Sequence, residues 1–344
     1  MDEITKTQKR YSRKHTKEER KAEKRRYKER QKLLKKATKP AKINQGVQTE
    51  AVQTSTFTAR GHHMVNLAKQ ATIRKNDQVP STAQSNNISS ITRINRDDLT
   101  TQKQEDIIGS GSYGTCYKAY YRGNIPVVIK EFKPLLSKAE VIREATAILN
   151  IQKIEHHPCL PLLLGINLNK SPPLLVTQFH GAENDTSHTL SKAIRSKLLK
   201  SNEQWLDILI QLVKAVGFIH TRGWIHNDLK ENNIVLHKIT EMEWRPIVID
   251  FGKSVKVLEA KCCKPKEKNY YWIAPEVLEG RSPPLQLSDI FSLGFIIKFV
   301  FRKLFTHKLA DFVFESCLIK APHLRMTSAQ KLAATLISYK KASK

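Results

Sequence analysis

Acidic residues are scarce in this chain: 32 Asp and Glu face 59 Lys and Arg, for a formal net charge of +27. Cysteine is scarce too. The five present are Cys116, Cys159, Cys262, Cys263 and Cys317. None forms a C-x-x-C pair, and no His/Cys cluster has zinc spacing, which excludes a structural zinc site. An odd number of thiols without a secretory leader argues against a disulfide framework and for reduced thiols in the cytoplasm or nucleus. The N-terminus, Met1-Asp2-Glu3-Ile4-Thr5-Lys6, is too polar for a signal h-region. Long apolar runs are missing as well. The most apolar stretch, residues 291–305, is broken by Lys298, Arg302 and Lys303, so it reads as a buried core helix and no transmembrane segment is expected.

The charge is unevenly spread. Residues 1–40 carry 17 Lys and Arg against 6 Asp and Glu. Residues 9–39 are compatible with a charged helix, but Leu33 and Leu34 are their only large aliphatic residues, so such a helix has no stripe to bury. The run suits a polyanion, a nuclear import receptor or plain solvation. Tyr11 and Tyr27 are its only aromatics, so it offers a nucleic acid charge but little base stacking. Residues 40–96 are rich in Thr, Gln, Asn and Ser and read as a linker. Within them Val47-Gln48-Thr49 is echoed by Val52-Gln53-Thr54. An extended V-Q-T segment suits strand addition to a partner, loosely like a dynein-light-chain docking peptide, although chance repetition in a polar tract is the better explanation.

Folded character begins near residue 100. A glycine cluster is followed by a strand over 115–121, a turn at Arg122-Gly123-Asn124 and an apolar strand over 125–129. A helix is expected over 137–155, then strands near 162–166 and 174–179. Residues 203–221 hold apolar side chains at helical spacing. Short strands follow at 234–236 and 247–249, and helices dominate from 287 on. A strand-rich half followed by a helix-rich half is an α+β pattern with two lobes.

Four motifs carry chemistry. Gly109-Ser110-Gly111-Ser112-Tyr113-Gly114 is a G-x-G-x-x-G cluster, which both dinucleotide folds and phosphate-covering hairpins use. A dinucleotide fold needs a helix directly after it; here a strand, turn and strand follow, giving a hairpin whose tip can cover phosphates. Val127-Val128-Ile129-Lys130 ends an apolar strand on a cation. The next helix supplies two carboxylates that could pair with it, Glu144 and, one turn earlier, Glu140. The third motif, His226-Asn227-Asp228-Leu229-Lys230-Glu231-Asn232-Asn233, is followed by the fourth, Ile249-Asp250-Phe251-Gly252.

In this order and spacing the four motifs resemble the eukaryotic protein kinase superfamily, with features of its tyrosine-kinase-like branch of Ser/Thr kinases. The resemblance covers about 240 residues. It implies a bilobal α+β fold with a small β-rich N-lobe over about 101–179 and a larger, shortened helical C-lobe over about 180–340. Residues 1–100 would form a basic, low-complexity, disordered arm. The resemblance also implies ATP and Mg²⁺ as cofactors and a protein substrate. Gly109, Gly111 and Gly114 would cradle phosphates, and Lys130, paired with Glu144, would hold them. Cys116 and Val128 would face adenine, and Thr177, Gln178 and Phe179 would form the gatekeeper and hinge. Asn233 and Asp250 would bind metal, Asp228 would orient the acceptor hydroxyl, and Lys230 would offset charge on the transferring group. Glu276 of Ala274-Pro275-Glu276 would pair with Arg325, and Asp289 would brace the catalytic loop.

The departures are specific. Asn227 stands where the family places an arginine that reads a phosphorylated activation segment. That segment has few acceptors (Ser254, Tyr270 and Tyr271), so activity independent of its phosphorylation is expected. Cys116 and Val128 replace the usual valine and alanine. The interval from Asp289 to Arg325 is short, which predicts a truncated C-lobe helix. Asn269 stands in a threonine position typical of Ser/Thr kinases, whereas Trp272 is tyrosine-kinase-like. Six lysines (Lys253, Lys256, Lys261, Lys264, Lys266 and Lys268) against Glu259 and Glu267 suit acidic or previously phosphorylated substrates, or are simply a solvated run. Two other readings stand beside an active kinase: a pseudokinase scaffold, against which Lys130, Asp228, Asn233 and Asp250 argue, and a nucleic-acid-associated protein led by residues 9–39. The oligomeric state is not legible.

Overall fold

The computed structural model describes residues 90–343, apart from 101–102, 183–185, 267–269 and 305–310. The arm to residue 89, with its V-Q-T echo and the basic run 9–39, lies outside the described residues, as do Lys268 and Asn269.

The N-lobe is one antiparallel sheet. Its strands are β1 (Ile107–Ser110), β2 (Gly114–Tyr121), β3 (Ile125–Phe132), β4 (Leu163–Asn167) and β5 (Leu174–Gln178), in the order β1-β2-β3-β5-β4. Alternation along β3 assigns its two faces. Val127 and Ile129 are fully buried and pack with Ala119, Leu174, Val176 and Ile94. Val128 and Lys130 point to the opposite face. Between β3 and β4 lies α1 (Lys138–Ile151), which buries Val141, Ala145 and Ile148 at helical spacing. It stops four residues short of the expected end. There the Gln152 side chain turns to donate to the Pro161 carbonyl (2.8 Å) and accept from the His157 N–H (3.3 Å), which ties down the following loop.

Residues 91–99, which precede the boundary expected at 101, pack against the N-lobe sheet. Ile91 and Ile94 are buried, Arg93 bridges Ile166, and Leu99 bridges Tyr121. The Asn167 side chain donates to the Ile94 carbonyl at 2.8 Å. A Cβ on Gly165 would lie 2.4 Å from the Thr92 carbonyl oxygen, so this segment fits only against a glycine.

The C-lobe begins with β6 (His188–Thr189) and α2 (Leu190–Arg195), a short pair with no periodic signal in the sequence. Then comes α3 (Asn202–Thr221), started by a capping box in which Ser201 and Gln204 exchange side-chain-to-backbone hydrogen bonds. β7 (Trp224–Ile225) leads into the loop that carries Asp228. β8 (Ile234–Lys238) pairs with β9 (Trp244–Val248), and β10 (Val255–Lys256) returns to pair with β7. The helices α4 (Pro275–Leu278), α5 (Gln286–Leu304), α6 (Asp311–Glu315) and α7 (Ala329–Ala342) complete the lobe. α5 is the expected core helix, burying Ile290, Phe291, Leu293, Ile296, Ile297, Val300 and Phe301. No helix among the described residues is long and apolar enough to cross a membrane. Between α5 and Arg325 the described residues hold only the five-residue α6 and a 3₁₀ turn, as the short interval predicts.

A buried ion pair closes the C-lobe. Arg325 Nη1 and Nη2 reach the two Glu276 carboxylate oxygens at 2.9 and 3.0 Å. The rest of the guanidinium donates to the carbonyls of Leu287, Ile319 and Lys320, so the planar fork is satisfied all round. Burial alone would raise the Glu276 pKa, but the hydrogen bonds and charge of Arg325 outweigh it and hold the carboxyl below its ordinary value.

Two outcomes are expected. Ile94→Ala should lower unfolding free energy by about 2–5 kcal/mol, read as a lower urea midpoint at unchanged slope; a wild-type midpoint would return residues 91–99 to the linker. Arg325→Met leaves Glu276 buried and unpaired and should cost about 3–5 kcal/mol. In the wild type, the depressed Glu276 pKa contributes stability above the unfolded carboxyl value of about 4.3. That contribution is lost as pH falls through the lower folded value. Arg325→Met should therefore flatten the acid limb of the stability curve.

Candidate functional site

The cleft is built from one sheet face, one helix and two loops. Residues directly opposite in an antiparallel pair share a face. Cys116 pairs with Lys130, and Val128 with Thr177. One sheet face thus collects Cys116, Val128, Lys130 and Thr177. β5 ends at Gln178, and the next residue, Phe179, puts its N–H on the Pro126 carbonyl at 3.3 Å. Burial pushes the Cys116 thiol up to about 11, only partly countered by the neighbouring Lys130, so the side chain is a neutral apolar contact.

The three glycines divide by physical cause. A Cβ on Gly114 would sit 1.9 Å from the Glu131 carbonyl oxygen, so packing on β3 demands glycine there. Around Gly109 and Gly111 a Cβ would meet nothing within 4 Å. Among the described residues no neighbour requires glycine at the hairpin tip, which leaves its backbone open to close approach by a ligand.

Lys130 is the hub. Its ammonium lies 2.7 and 2.9 Å from the Glu144 oxygens and 2.9 Å from Asp250 Oδ1. Burial works against the charge, but the two carboxylates outweigh it and raise the lysine well above its ordinary value. Asp250 moves the other way: burial opposes its charge, and Lys130 more than compensates, holding it below the usual range. Glu140, the rival partner, instead takes the hydroxyl of Ser137 at the start of α1. Arg143 Nε donates to the Gly252 carbonyl at 3.2 Å. A Cβ on Gly252 would come within 3.1 Å of Glu144 Oε2, so glycine lets the Asp250 loop close against α1.

Asp228 is 4% exposed and its Oδ2 is crowded. Lys230 Nζ and Lys253 Nζ each lie 3.0 Å from it, and Asn233 Nδ2 lies at 3.3 Å. Oδ1 is buried and has no hydrogen-bond partner among the described residues. Lys230 also sits 5.6 Å over the Trp272 ring. The loop carrying Asp228 is held from beneath. Asp289 accepts the backbone N–H groups of His226 (2.8 Å) and Asn227 (2.9 Å), and His220 Nε2 lies 2.9 Å from it. His226 is buried against Phe251, with Nε2 3.1 Å from the Ile249 carbonyl and Nδ1 facing the Asp228 N–H. Burial lowers its pKa despite three nearby carboxylates, so the ring is neutral.

These residues fit a nucleotide with a divalent metal. Asn233 gives its amide N–H groups to Asp228, leaving its carbonyl oxygen uncommitted to that residue, and Lys130 takes only Oδ1 of Asp250. Asp250 sits in the left-handed region at φ 65, a conformation that Asp tolerates better than most residues. No group of three or more His, Cys, Asp or Glu among the described residues would cage a metal alone. A hard cation held by one carboxylate and one amide suits an ion that arrives on phosphate oxygens.

Of the residues expected from the sequence, Lys130, Glu144 and Asp250 are joined by ion pairs, Asp228, Lys230 and Asn233 by hydrogen bonds, and Cys116, Val128, Lys130 and Thr177 share one sheet face; Asn269 lies outside the described residues. Sequence reasoning missed the contact of Lys253 with Asp228 and grouped this residue with the lysine run. Its position directly after Asp250-Phe251-Gly252 was the available signal.

The protein kinase domain family matches residues 102–311. Three relatives are similar at modest identity. R826 of Acanthamoeba polyphaga mimivirus, named a serine/threonine-protein kinase/receptor, is 28% identical over 59% of this chain. Serine/threonine-protein kinase STY17 of Arabidopsis thaliana is 27% identical over 58%, and the RAF proto-oncogene serine/threonine-protein kinase of Xenopus laevis is 28% identical over 55%. The matches span 12%, 33% and 29% of those relatives' own lengths.

The choice of carboxylate partner is testable. Glu144→Gln should lower phosphoryl transfer from ATP by about 10²–10³-fold, whereas Glu140→Gln should leave it within about twofold of wild type. The reverse ranking would reassign the Lys130 partner.

Proposed function

The chain belongs to the eukaryotic protein kinase superfamily, and on that premise we propose that it transfers the γ-phosphoryl group of MgATP to Ser or Thr hydroxyls of protein substrates. The observation that carries this reading is the closed ion network of Lys130, Glu144 and Asp250, which ties β3, α1 and the Asp250 loop together. A scaffold that only binds needs no such alignment of separate segments.

In this reading Lys130 holds the α- and β-phosphates, with Gly109 and Gly111 allowing the hairpin backbone to approach them. Asn233 and Asp250 hold Mg²⁺, which neutralises phosphate charge. Asp228 accepts a hydrogen bond from the substrate hydroxyl and points it at the γ-phosphate. Lys230 offsets charge on the transferring group, and no covalent enzyme intermediate forms. Cys116, Val128 and Thr177 line the adenine side, with Gln178 and Phe179 at the hinge.

Lys230 after Asp228-Leu229, together with relatives named as serine/threonine kinases, favours Ser/Thr over Tyr. Basic residues beside Asp228 favour an acidic or previously phosphorylated substrate. Lys266 is near enough to Asp228 and Lys253 to feel both; its pKa is lowered first by burial and then by Lys253. All five cysteines are free thiols, which supports a cytoplasmic or nuclear setting.

The test is phosphoryl transfer from labelled ATP and Mg²⁺ to a degenerate peptide array. The wild type should label Ser/Thr peptides with flanking acidic or phosphorylated residues, and Asp228→Asn should lose about 10²–10⁴-fold. Wild-type labelling equal to that of Asp228→Asn would leave the pseudokinase reading standing.

A further inference from the structure

Asn227 removes a cation from the catalytic loop, yet Asp228 still has two. One is Lys230, from the loop itself. The other is Lys253, the first residue after Gly252, whose Nζ is 3.0 Å from Asp228 Oδ2. Its side chain is 35% exposed, against 4% for Asp228, so the pair sits at the cleft floor with the carboxylate on the dry side.

The backbone around Lys253 is fixed to the catalytic loop from both sides. Asn227 Nδ2 donates to the Lys253 carbonyl at 3.2 Å. Ser254, buried, donates its hydroxyl to the His226 carbonyl at 3.2 Å, and its N–H goes to the Phe251 carbonyl. Val255 and Lys256 pair with Ile225 and Trp224, and the Gly252 carbonyl is held by Arg143. Asn227 can serve this way because of its own backbone. At φ 65 it occupies the left-handed region, which Asn enters more readily than most residues, and its N–H is taken by Asp289. The short amide is thus aimed at the start of the activation segment.

We infer that Lys253 is a positioning residue for phosphoryl transfer, holding Asp228 and tying the start of the activation segment to the catalytic loop without segment phosphorylation. The inference rests on the kinase reading above. An arginine that reads a distant phosphate is replaced by two local devices. A neutral hydrogen bond from Asn227 fixes the main chain, and a cation borne by the segment itself satisfies the catalytic carboxylate. Lys230 and Lys253 converge on Oδ2, which sets the rotation of the carboxylate and leaves Oδ1 without a partner among the described residues. A rival arrangement, in which Lys253 covers Asp228 and must leave before substrate binds, predicts the opposite sign.

The experiment uses the full chain, treated with a broad-specificity phosphatase and shown by mass to carry no phosphate. Initial rates are measured with labelled ATP, Mg²⁺ and a degenerate Ser/Thr peptide pool for wild type, Asp228→Asn, Lys253→Met, Lys253→Arg, Asn227→Ala and the Asn227→Ala/Lys253→Met double variant. Lys253→Met should lose on the order of 10²-fold in kcat, with KM for ATP within about twofold of wild type and an unchanged thermal midpoint. Lys253→Arg should restore most of the rate. Asn227→Ala should lose part of the same factor and add little on top of Lys253→Met, because both act on one link. A Lys253→Met chain as fast as or faster than wild type overturns the inference, as do multiplicative losses in the double variant. Dephosphorylated wild type that is inactive, but recovers when phosphorylated, overturns it as well. A wild type no faster than Asp228→Asn in either state sinks the kinase reading itself.

Discussion

The cleft depends on one ammonium group held between carboxylates from two separate segments. Lys130 comes from a strand, Glu144 from the helix that follows it, and Asp250 from a loop 120 residues further along. Removing such a group from water is costly unless the charge is compensated on all sides. Here it is compensated by segments that must all be in place at once. The network therefore reports the relation of α1 to the Asp250 loop, and the Arg143 bond to Gly252 adds a second link between the same two parts. A Cβ at Gly252 would crowd Glu144 Oε2 at 3.1 Å, so the glycine eases their approach.

A second set of buried charges holds the other half of the site. Asp289 on α5 receives two backbone N–H groups of the catalytic loop, and Arg325 clamps Glu276 at the end of the activation segment. Each is a charge-assisted contact to main chain or a satisfied fork, the kind that orders a loop without needing an apolar core. The loop thus takes its position from α5, and the segment from both the loop and Arg325. A short C-lobe suffices for this, since the described part of the interval between α5 and Arg325 contributes one brief helix.

Much of this was legible in the sequence because catalysis needs particular groups at fixed separations. Lys130, Asp228, Asn233 and Asp250 could be named from spacing and resemblance, and Cys116, Val128 and Thr177 meet on one face because strand alternation leaves no other choice. The misses have physical causes. Ile91 and Ile94 sit among Ser, Asn and Thr, so composition hides two core residues. At Gly114 the Glu131 carbonyl leaves no room for a Cβ, a constraint the glycine motif alone does not reveal. Lys253 was lost in a run of lysines, because charge composition says nothing about which ammonium the chain path delivers to Asp228.

The most direct test of the central claim is the metal dependence of nucleotide affinity, measured by isothermal titration of ATP into the full chain with and without Mg²⁺. If Lys130, Asn233 and Asp250 form one MgATP cleft, Mg²⁺ should tighten binding by about tenfold or more, a differential of about 1.4 kcal/mol, and Asp250→Asn should abolish that gain while leaving metal-free binding in place. ATP affinity indifferent to Mg²⁺ in the wild type would contradict it.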